Sequence, residues 1–168
     1  MQEHGLKISE LVTLFNLEVL NKGSDFDTAQ LTITDVNRPG LQFHSFYDYF
    51  DPRRLQVLGK AEITYLKGLT TEQRRKCFDD LFLYDIPALV ISRGLDCFPE
   101  CLESARVHER TLLRTEETTV EFTSHTIEYL NRVLAPCVTR HGVLLDISGE
   151  GVMITGDSGI GKSETAIE

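Results

Sequence analysis

The sequence predicts a small α/β domain with a mainly parallel sheet, followed by the beginning of a second domain. Three observations carry this prediction. Short apolar runs alternate with segments of helical periodicity through residues 1–130, an order typical of sheets covered by helices. Ala88–Ile91 is a continuous apolar run of the kind buried in parallel sheets. A helix predicted from near Glu117 to Leu134 ends before Pro136, so the domains are placed at 1–131 and 132–168.

The elements of the first domain follow from hydrophobic spacing and from capping and turn residues. Strands are predicted at Leu17–Leu20, Leu31–Ile33, Leu55–Leu58, Ala88–Ile91 and Leu112–Leu113, and helices at Leu6–Phe15, Phe43–Phe50, Thr70–Tyr84, from Pro99 onward and at Glu117–Leu134. Thr70 and Gln73 have the spacing of a capping box, and Pro99 suits a first helical turn. The aromatic residues of Phe43–Phe50 repeat at helical spacing and predict one buried face.

Charge, hydropathy and cysteine content argue against nucleic-acid binding, a membrane span, secretion and a cysteine metal site. The chain carries 26 acidic and 17 basic residues, a net charge of −9, which predicts no face for nucleic acid. No apolar run approaches the roughly 18 residues of a membrane span, and the start of the chain does not resemble a secretory signal, so we expect a cytoplasmic protein. The cysteines, which form no C-x-x-C pair, are expected to be buried or unreactive rather than metal-bound; they are Cys77, Cys97, Cys101 and Cys137.

Residues 156–163 read Gly-Asp-Ser-Gly-Ile-Gly-Lys-Ser, a complete match to the phosphate-binding pattern G-x-x-x-x-G-K-[ST]. Its glycines let backbone N–H groups approach phosphate oxygens closely, and the following helix points its positive end at the same anion. Lys162 is expected at the β- and γ-phosphates, and Ser163 at Mg²⁺. The nucleotide-binding residues are therefore predicted to be Gly156, Asp157, Ser158, Gly159, Ile160, Gly161, Lys162 and Ser163.

A hairpin is predicted directly before this loop. Val143–Ser148 and Val152–Thr155 have strand character, and the glycines of Gly149–Gly151 permit a tight turn. If Ser148 pairs with Gly151, His141 lies opposite Ser158 and close to the bound phosphates. Spacing leaves two interpretations of His141 open. It contacts phosphate or exchanges a proton there, or it is a strand-end histidine bonded to backbone or water.

Residues 140–164, with their His-Gly pair, Gly-x-Gly hairpin and Gly-Asp-Ser-Gly-x-Gly-Lys-Ser-Glu loop, closely resemble the bifunctional HPr kinase/phosphorylase family of bacteria. Asn37–Leu41, Arg54–Gly59 and Ile91–Leu95 are similar to the amino-terminal domain of that family. The resemblance implies a Mur-ligase-like amino-terminal domain and the start of a P-loop kinase domain similar to phosphoenolpyruvate carboxykinase. It also implies homohexamers.

The same resemblance implies an activity. The family uses ATP to phosphorylate a serine of HPr, the phosphocarrier of the sugar phosphotransferase system. With inorganic phosphate it removes that phosphate and releases pyrophosphate, and so controls carbon catabolite repression. Carried over by position, Gly156–Ser163 bind ATP, Lys162 acts at the transferred phosphate, Ser163 binds Mg²⁺ and His141 contributes at the phosphate site.

The chain departs from the family pattern in one respect. The carboxylate that deprotonates the serine, the second metal ligand and the HPr-binding loop follow the P-loop helix in the family, beyond Glu168. We therefore expect a fragment of a longer protein that does not turn over alone. Two alternatives stay open: a carboxykinase-like kinase acting on a small molecule, and a non-catalytic regulatory module with a nucleotide-binding loop.

Overall fold

Parallel strands dominate the main sheet, as the sequence predicts. The computed structural model describes residues 5–136, 141–157 and 159. The chain divides into two compact units, Met1–Ala135 and Pro136–Glu168, called here the amino-terminal and carboxy-terminal units. Within the described residues, no helix is both long enough and apolar enough to cross a membrane.

The described elements of the amino-terminal unit agree with most of the predicted ones. In chain order they are β1 (Leu6–Lys7), α1 (Ile8–Leu14), β2 (Glu18–Asn21), β3 (Gln30–Leu31), β4 (Val36–Asn37), a 3₁₀ helix (Gln42–His44), β5 (Leu55–Leu58), α2 (Lys60–Lys67), α3 (Thr71–Phe82), β6 (Leu89–Ile91), α4 (Pro99–Val107), β7 (Leu112–Arg114) and α5 (Thr119–Val133). The Thr70 hydroxyl accepts a hydrogen bond from the Gln73 amide at 3.3 Å, which confirms the predicted capping box at the start of α3.

Among the described residues, the main sheet has five strands in the order β2-β7-β6-β5-β4. Strands β4, β5, β6 and β7 are parallel, with Gln56 paired to Leu89 and Leu89 paired to Leu112. Strand β2 closes the other edge antiparallel to β7. The carboxyl ends of the parallel strands therefore share one edge of the sheet, where chemistry-bearing residues of α/β domains usually gather.

Side chains alternate between the two faces of this sheet, so each face has its own apolar core. Leu58, Leu89, Ile91 and Leu112 belong to the core that includes residues of α2, α3 and α4. Leu55, Val57, Val90 and Leu113 belong to the core that includes residues of α1 and α5. The amino-terminal unit is thus a sheet covered by helices on both faces, as expected for a parallel sheet.

The predicted helix over Phe43–Phe50 is wrong. Helical structure ends at His44, because Ser45 and Tyr49 adopt left-handed backbone angles, with φ of 60° and 62°. The aromatic side chains pack on a neighbouring element instead of forming one helix face. Tyr47 stacks on Tyr84, the ring centroids 4.9 Å apart, and Phe50 meets Tyr84 edge to face.

Helix α2 is not among the predicted elements, although its local signals are clear in the structure. Ile63 and Leu66 are buried against the core. The Glu62 carboxylate accepts a hydrogen bond from the Gly59 amide at 2.9 Å and so caps the helix start. With only eight residues and a glycine on each side, the segment shows too few turns for periodicity to reveal it.

Candidate phosphate-binding site

The carboxy-terminal unit presents the phosphate-binding motif at the end of a hairpin. Strand β8 (Gly142–Ile147) pairs antiparallel with β9 (Glu150–Thr155). The turn between them consists of Ser148 and Gly149, both with left-handed φ, of 57° and 86°. That is the pattern of a two-residue type I′ turn, which suits the twist of a hairpin.

The predicted hairpin is confirmed, but its predicted turn is wrong. The turn was expected at Gly149–Gly151, whereas Glu150 already pairs with Ile147 in the ladder. The physical reason lies in Ser148, which adopts the left-handed conformation that sequence patterns assign to glycine or asparagine. The Asp146 carboxylate supports this turn by accepting a hydrogen bond from the Gly149 amide at 2.8 Å.

This register changes the position expected for His141. Gly142 pairs with Thr155, so continuing the ladder by one residue aligns His141 with Gly156 instead of Ser158. The shift is two residues, which keeps every side chain on its predicted face. His141 is exposed and directly precedes β8.

Gly142 holds the two strands close together at this point. A Cβ added there would lie 2.7 Å from the Ile154 carbonyl oxygen and 2.9 Å from Cε of Met153. Only glycine therefore allows the two strands to approach this closely without a shift of the Ile154 carbonyl or the Met153 side chain.

The motif itself is described only in part. Gly156, Asp157 and Gly159 are exposed, and Gly159 has a left-handed φ of 86°, a conformation that a phosphate-binding loop requires of its glycines. The remaining predicted site residues lie outside the described residues: Ser158, Ile160, Gly161, Lys162 and Ser163. The described part thus consists of a tight hairpin followed by exposed residues of the motif.

A second group of polar residues lies at the carboxyl ends of β4, β5 and β6. This carboxyl-edge cluster consists of Arg38, Glu62, Ser92 and Thr119. Arg38 Nη2 lies 2.8 Å from Glu62 Oε2. The Ser92 hydroxyl donates to the Leu58 carbonyl at 2.9 Å and lies 2.7 Å from the Thr119 hydroxyl.

These contacts tie the beginnings of α2 and α5 to the sheet edge. Burial raises the pKa of Glu62, but the hydrogen bond and charge of Arg38 together with the backbone amides of Glu62 and Gly59 outweigh it, so the pKa of the carboxyl lies below its ordinary value. Sequence reasoning missed this cluster because its members lie on different elements, and only the parallel topology brings them together.

Comparison with known families finds one matching family model for each of the two units. The model described as HPr Serine kinase N terminus matches residues 6–130, and the model described as HPr Serine kinase C-terminal domain matches residues 132–168. The chain belongs to the HPr serine kinase family. Segments 37–41, 54–59 and 91–95, which resemble the amino-terminal domain of this family, meet at the edge of the sheet that holds the carboxyl-edge cluster.

Two relatives show the extent of the match within this family. The HPr kinase/phosphorylase of Clostridium tetani is 46% identical over 164 residues, which are 98% of this chain and 53% of the relative. The HPr kinase/phosphorylase of Caldanaerobacter subterraneus is 44% identical over 163 residues, which are 97% of this chain and 53% of the relative. The chain therefore spans about half the length of the curated relatives it matches.

One solved structure resembles the fold at low sequence identity. It contains the CBS and DRTGG domains of the regulatory region of Clostridium perfringens pyrophosphatase, complexed with the activator diadenosine tetraphosphate. The TM-score is 0.53 at 14% identity, and the match covers 76% of this chain and 49% of the other. At this identity the likeness concerns the fold alone.

Proposed function

We propose that the protein to which this chain belongs is an ATP-dependent serine kinase of the phosphocarrier HPr that also removes the phosphate by phosphorolysis. The observation that carries the proposal is the complete phosphate-binding motif after β9, in a chain whose two units both match HPr kinase family models. The names of the Clostridium tetani and Caldanaerobacter relatives, HPr kinase/phosphorylase, support both directions of the reaction.

In the proposed mechanism, residues Gly156–Ser163 hold the phosphates of ATP. The exposed Gly159 with its left-handed backbone suits a loop whose amides surround an anion. Lys162 neutralises charge on the transferred phosphoryl group. Ser163 is the ligand for Mg²⁺, which supplies further positive charge when bound.

His141 is proposed to act at the same phosphates. The register of the hairpin supports this role, because continuing it by one residue past Gly142 brings the exposed His141 opposite Gly156; there a protonated ring would donate a hydrogen bond to a phosphate oxygen and a neutral ring would accept a proton. Gly142 fixes this alignment through the close approach of β8 to β9. The carboxylate that deprotonates the HPr serine is assigned to the part of the family that this chain does not span.

The wider assignments rest on the family resemblance. We propose that the protein works in the cytoplasm as a homohexamer and controls carbon catabolite repression. Inorganic phosphate and pyrophosphate are then the co-substrate and product of the reverse reaction. The Mur-ligase relation of the amino-terminal unit and the carboxykinase relation of the carboxy-terminal unit are part of the same proposal.

The test uses the complete protein with purified HPr, Mg²⁺ and ATP labelled in the γ-phosphate. We expect label on a serine of HPr, its release as pyrophosphate on addition of inorganic phosphate, and a loss of at least about 100-fold in rate for Lys162→Ala. Lys60→Ala, which removes an exposed lysine at the start of α2, serves as the matched control and should keep full activity.

The outcomes separate the alternatives. Unlabelled HPr together with a phosphorylated metabolite would favour a small-molecule kinase. Failure to bind ATP at millimolar concentration would favour a regulatory module. HPr labelling that survives Lys162→Ala would contradict the proposed site.

A further inference from the structure

A cleft opens beside the carboxyl-edge cluster, between the loop that follows β4 and the start of α2. Its volume is about 440 Å³, which lies within the range of small-molecule sites. Ligands of open parallel sheets bind outside the carboxyl ends of the strands, and β4 and β5 both end here. The residues that give this Arg38 cleft its chemistry are Arg38, Glu62, Leu41, His44 and Tyr65.

The Arg38 guanidinium is held in place and is still accessible. Its Nη2 donates to Glu62 Oε2 at 2.8 Å, and the Gly59 amide donates to the same oxygen at 2.9 Å. Glu62 is only 8% exposed, whereas the Arg38 side chain is 48% exposed. Within the described part of the chain, Nη2 is the one guanidinium nitrogen of Arg38 with a hydrogen-bond partner. The other N–H groups can therefore bind a ligand while the ion pair stays intact.

The type of cation decides what the cleft can bind. Neutralising the buried Glu62 carboxylate needs one positive charge, which a lysine ammonium would also supply. A guanidinium adds a planar set of donors that matches two oxygens of a carboxylate or phosphate group. Because the ion pair occupies one nitrogen of Arg38 and leaves half of its side-chain surface exposed, the cleft favours an anionic group on its ligand.

The rest of the lining favours an apolar or aromatic body on the same ligand. Leu41 is 62% exposed, and the buried Phe43 and the ring of Tyr65 also line the cleft. The Tyr65 and His44 rings lie 4.6 Å apart between centroids, and the Tyr65 hydroxyl lies 3.4 Å from His44 Nδ1. These contacts fix an aromatic wall against which a flat ring can pack.

We propose that the Arg38 cleft binds a small organic anion, in which a phosphate or carboxylate group on an aromatic ring pairs with Arg38. A mostly apolar wall supplies affinity, and one oriented cation supplies specificity, as is usual in small-molecule sites. The proposal concerns the amino-terminal unit and does not depend on the proposed kinase activity.

The test measures binding of phenyl phosphate and of benzoate to the complete protein by saturation-transfer NMR. A Lys162→Ala background with a chelator for Mg²⁺ removes binding at the phosphate-binding motif. We expect at least one of the two anions to bind with a dissociation constant below about 5 mM, and phenol and inorganic phosphate to bind at least about tenfold more weakly. The tighter of the two anions identifies the anionic group of the ligand.

Three further substitutions locate the site. Arg38→Lys keeps a cation beside Glu62 but removes the planar set of donors, and Leu41→Glu adds a negative charge at an exposed position. Both should keep the fold and weaken binding roughly tenfold. Arg53→Lys is the matched control, because Arg53 also pairs with a carboxylate, that of Asp51, but lies outside the cleft. Its affinity should equal that of the parent protein.

The absence of saturation transfer to both anions at about 5 mM would overturn the proposal. Phenol binding as tightly as phenyl phosphate would also overturn it, since the anionic group would then contribute nothing. Both results are obtained with Arg38 in place, so they do not depend on whether a variant of the cleft folds. Equal affinities of Arg38→Lys, Leu41→Glu and Arg53→Lys would place the binding site elsewhere and so contradict the proposal.

Discussion

At Gly59 the chain passes from β5 into α2, and the neighbouring side chains leave no room for a larger residue. A Cβ there would lie 2.6 Å from Thr119 Oγ1, 3.2 Å from Arg38 Nη2 and 3.3 Å from Glu62 Oε2. The residue's φ of −111° is open to any amino acid, so glycine is needed for space and not for backbone freedom. The absence of one side chain is what allows the carboxyl-edge cluster to close.

We predict that Gly59→Ala lowers the free energy of unfolding by about 1–3 kcal/mol, because the added methyl group forces Thr119 away from Ser92. Gly40→Ala is the matched control, since a Cβ at Gly40 meets nothing within 4 Å, and it should change stability by less than about 0.5 kcal/mol. Urea unfolding of both variants measures the difference. Equal effects would show that the cluster tolerates the extra volume.

At the scale of elements, the sequence predicts those whose signals are local. The capping box at Thr70 and the proline at Pro99 mark helix starts correctly. The aromatic spacing in Phe43–Phe50 predicts a helix that does not form, because Ser45 and Tyr49 have left-handed backbone angles and Tyr47 stacks on Tyr84 instead. No local sequence pattern predicts this irregular backbone, since it depends on packing against Tyr84, more than thirty residues away.

The same distinction holds for the candidate sites. The phosphate-binding motif is readable from the sequence because its chemistry lies in eight consecutive residues. The carboxyl-edge cluster cannot be read from the sequence, since Arg38 meets Glu62, and Ser92 meets Thr119, only through the order of the parallel strands. The sequence shows that Cys97 and Cys101 are four residues apart, but their different burial follows from tertiary packing.

The hairpin gives a prediction about backbone conformation alone. Gly149 has a φ of 86°, whereas Gly151 has no left-handed φ, and an added Cβ meets nothing within 4 Å at either position. Gly149→Ala should therefore weaken the hairpin by about 1 kcal/mol, while Gly151→Ala should be neutral or slightly stabilising.

Hydrogen exchange of the β8 and β9 amides measures this effect in the intact protein. Exchange should be roughly fivefold faster for Gly149→Ala than for Gly151→Ala, because a difference of about 1 kcal/mol in the free energy of opening corresponds to this ratio of exchange rates. Equal exchange in the two variants would contradict the two-residue turn and the alignment of His141 that depends on it.

For the molecule as a whole, ion-paired carboxylates link stability to pH. The hydrogen bond from Arg53 lowers the pKa of Asp51 to about 2, and the hydrogen bond from Arg74 lowers the pKa of Glu100. Because these folded-state values lie below the unfolded ones, the stabilisation is present above the unfolded pKa and is lost as pH falls through the folded pKa. The free energy of unfolding should therefore decrease as the pH falls below about 5.

The substitution Glu100→Gln tests how much the Arg74–Glu100 ion pair contributes to this pH dependence of stability. Arg74 joins Glu100 to the Leu69 carbonyl, so the variant should be destabilised near pH 7, and its difference from wild type should shrink as the pH falls toward 3. Glu128→Gln, which removes an exposed carboxylate on α5, should differ from wild type by a nearly constant amount. Urea unfolding at several pH values gives both curves. A Glu100→Gln deficit that is equal at pH 7 and pH 3 would rule out the linkage.

The antiparallel edge of the main sheet has a consequence for synthesis. Strand β2 pairs with β7 through Glu18 and Arg114, which also form an ion pair at 2.7 Å. The first strand of this sheet to leave the ribosome must therefore wait until some ninety further residues have emerged, whereas β5 and β6 need far fewer. Until then its backbone donors and acceptors have no neighbour in the sheet. We therefore expect β2 to be the strand of this sheet that is most exposed to wrong pairing during synthesis, in the interval before β7 appears.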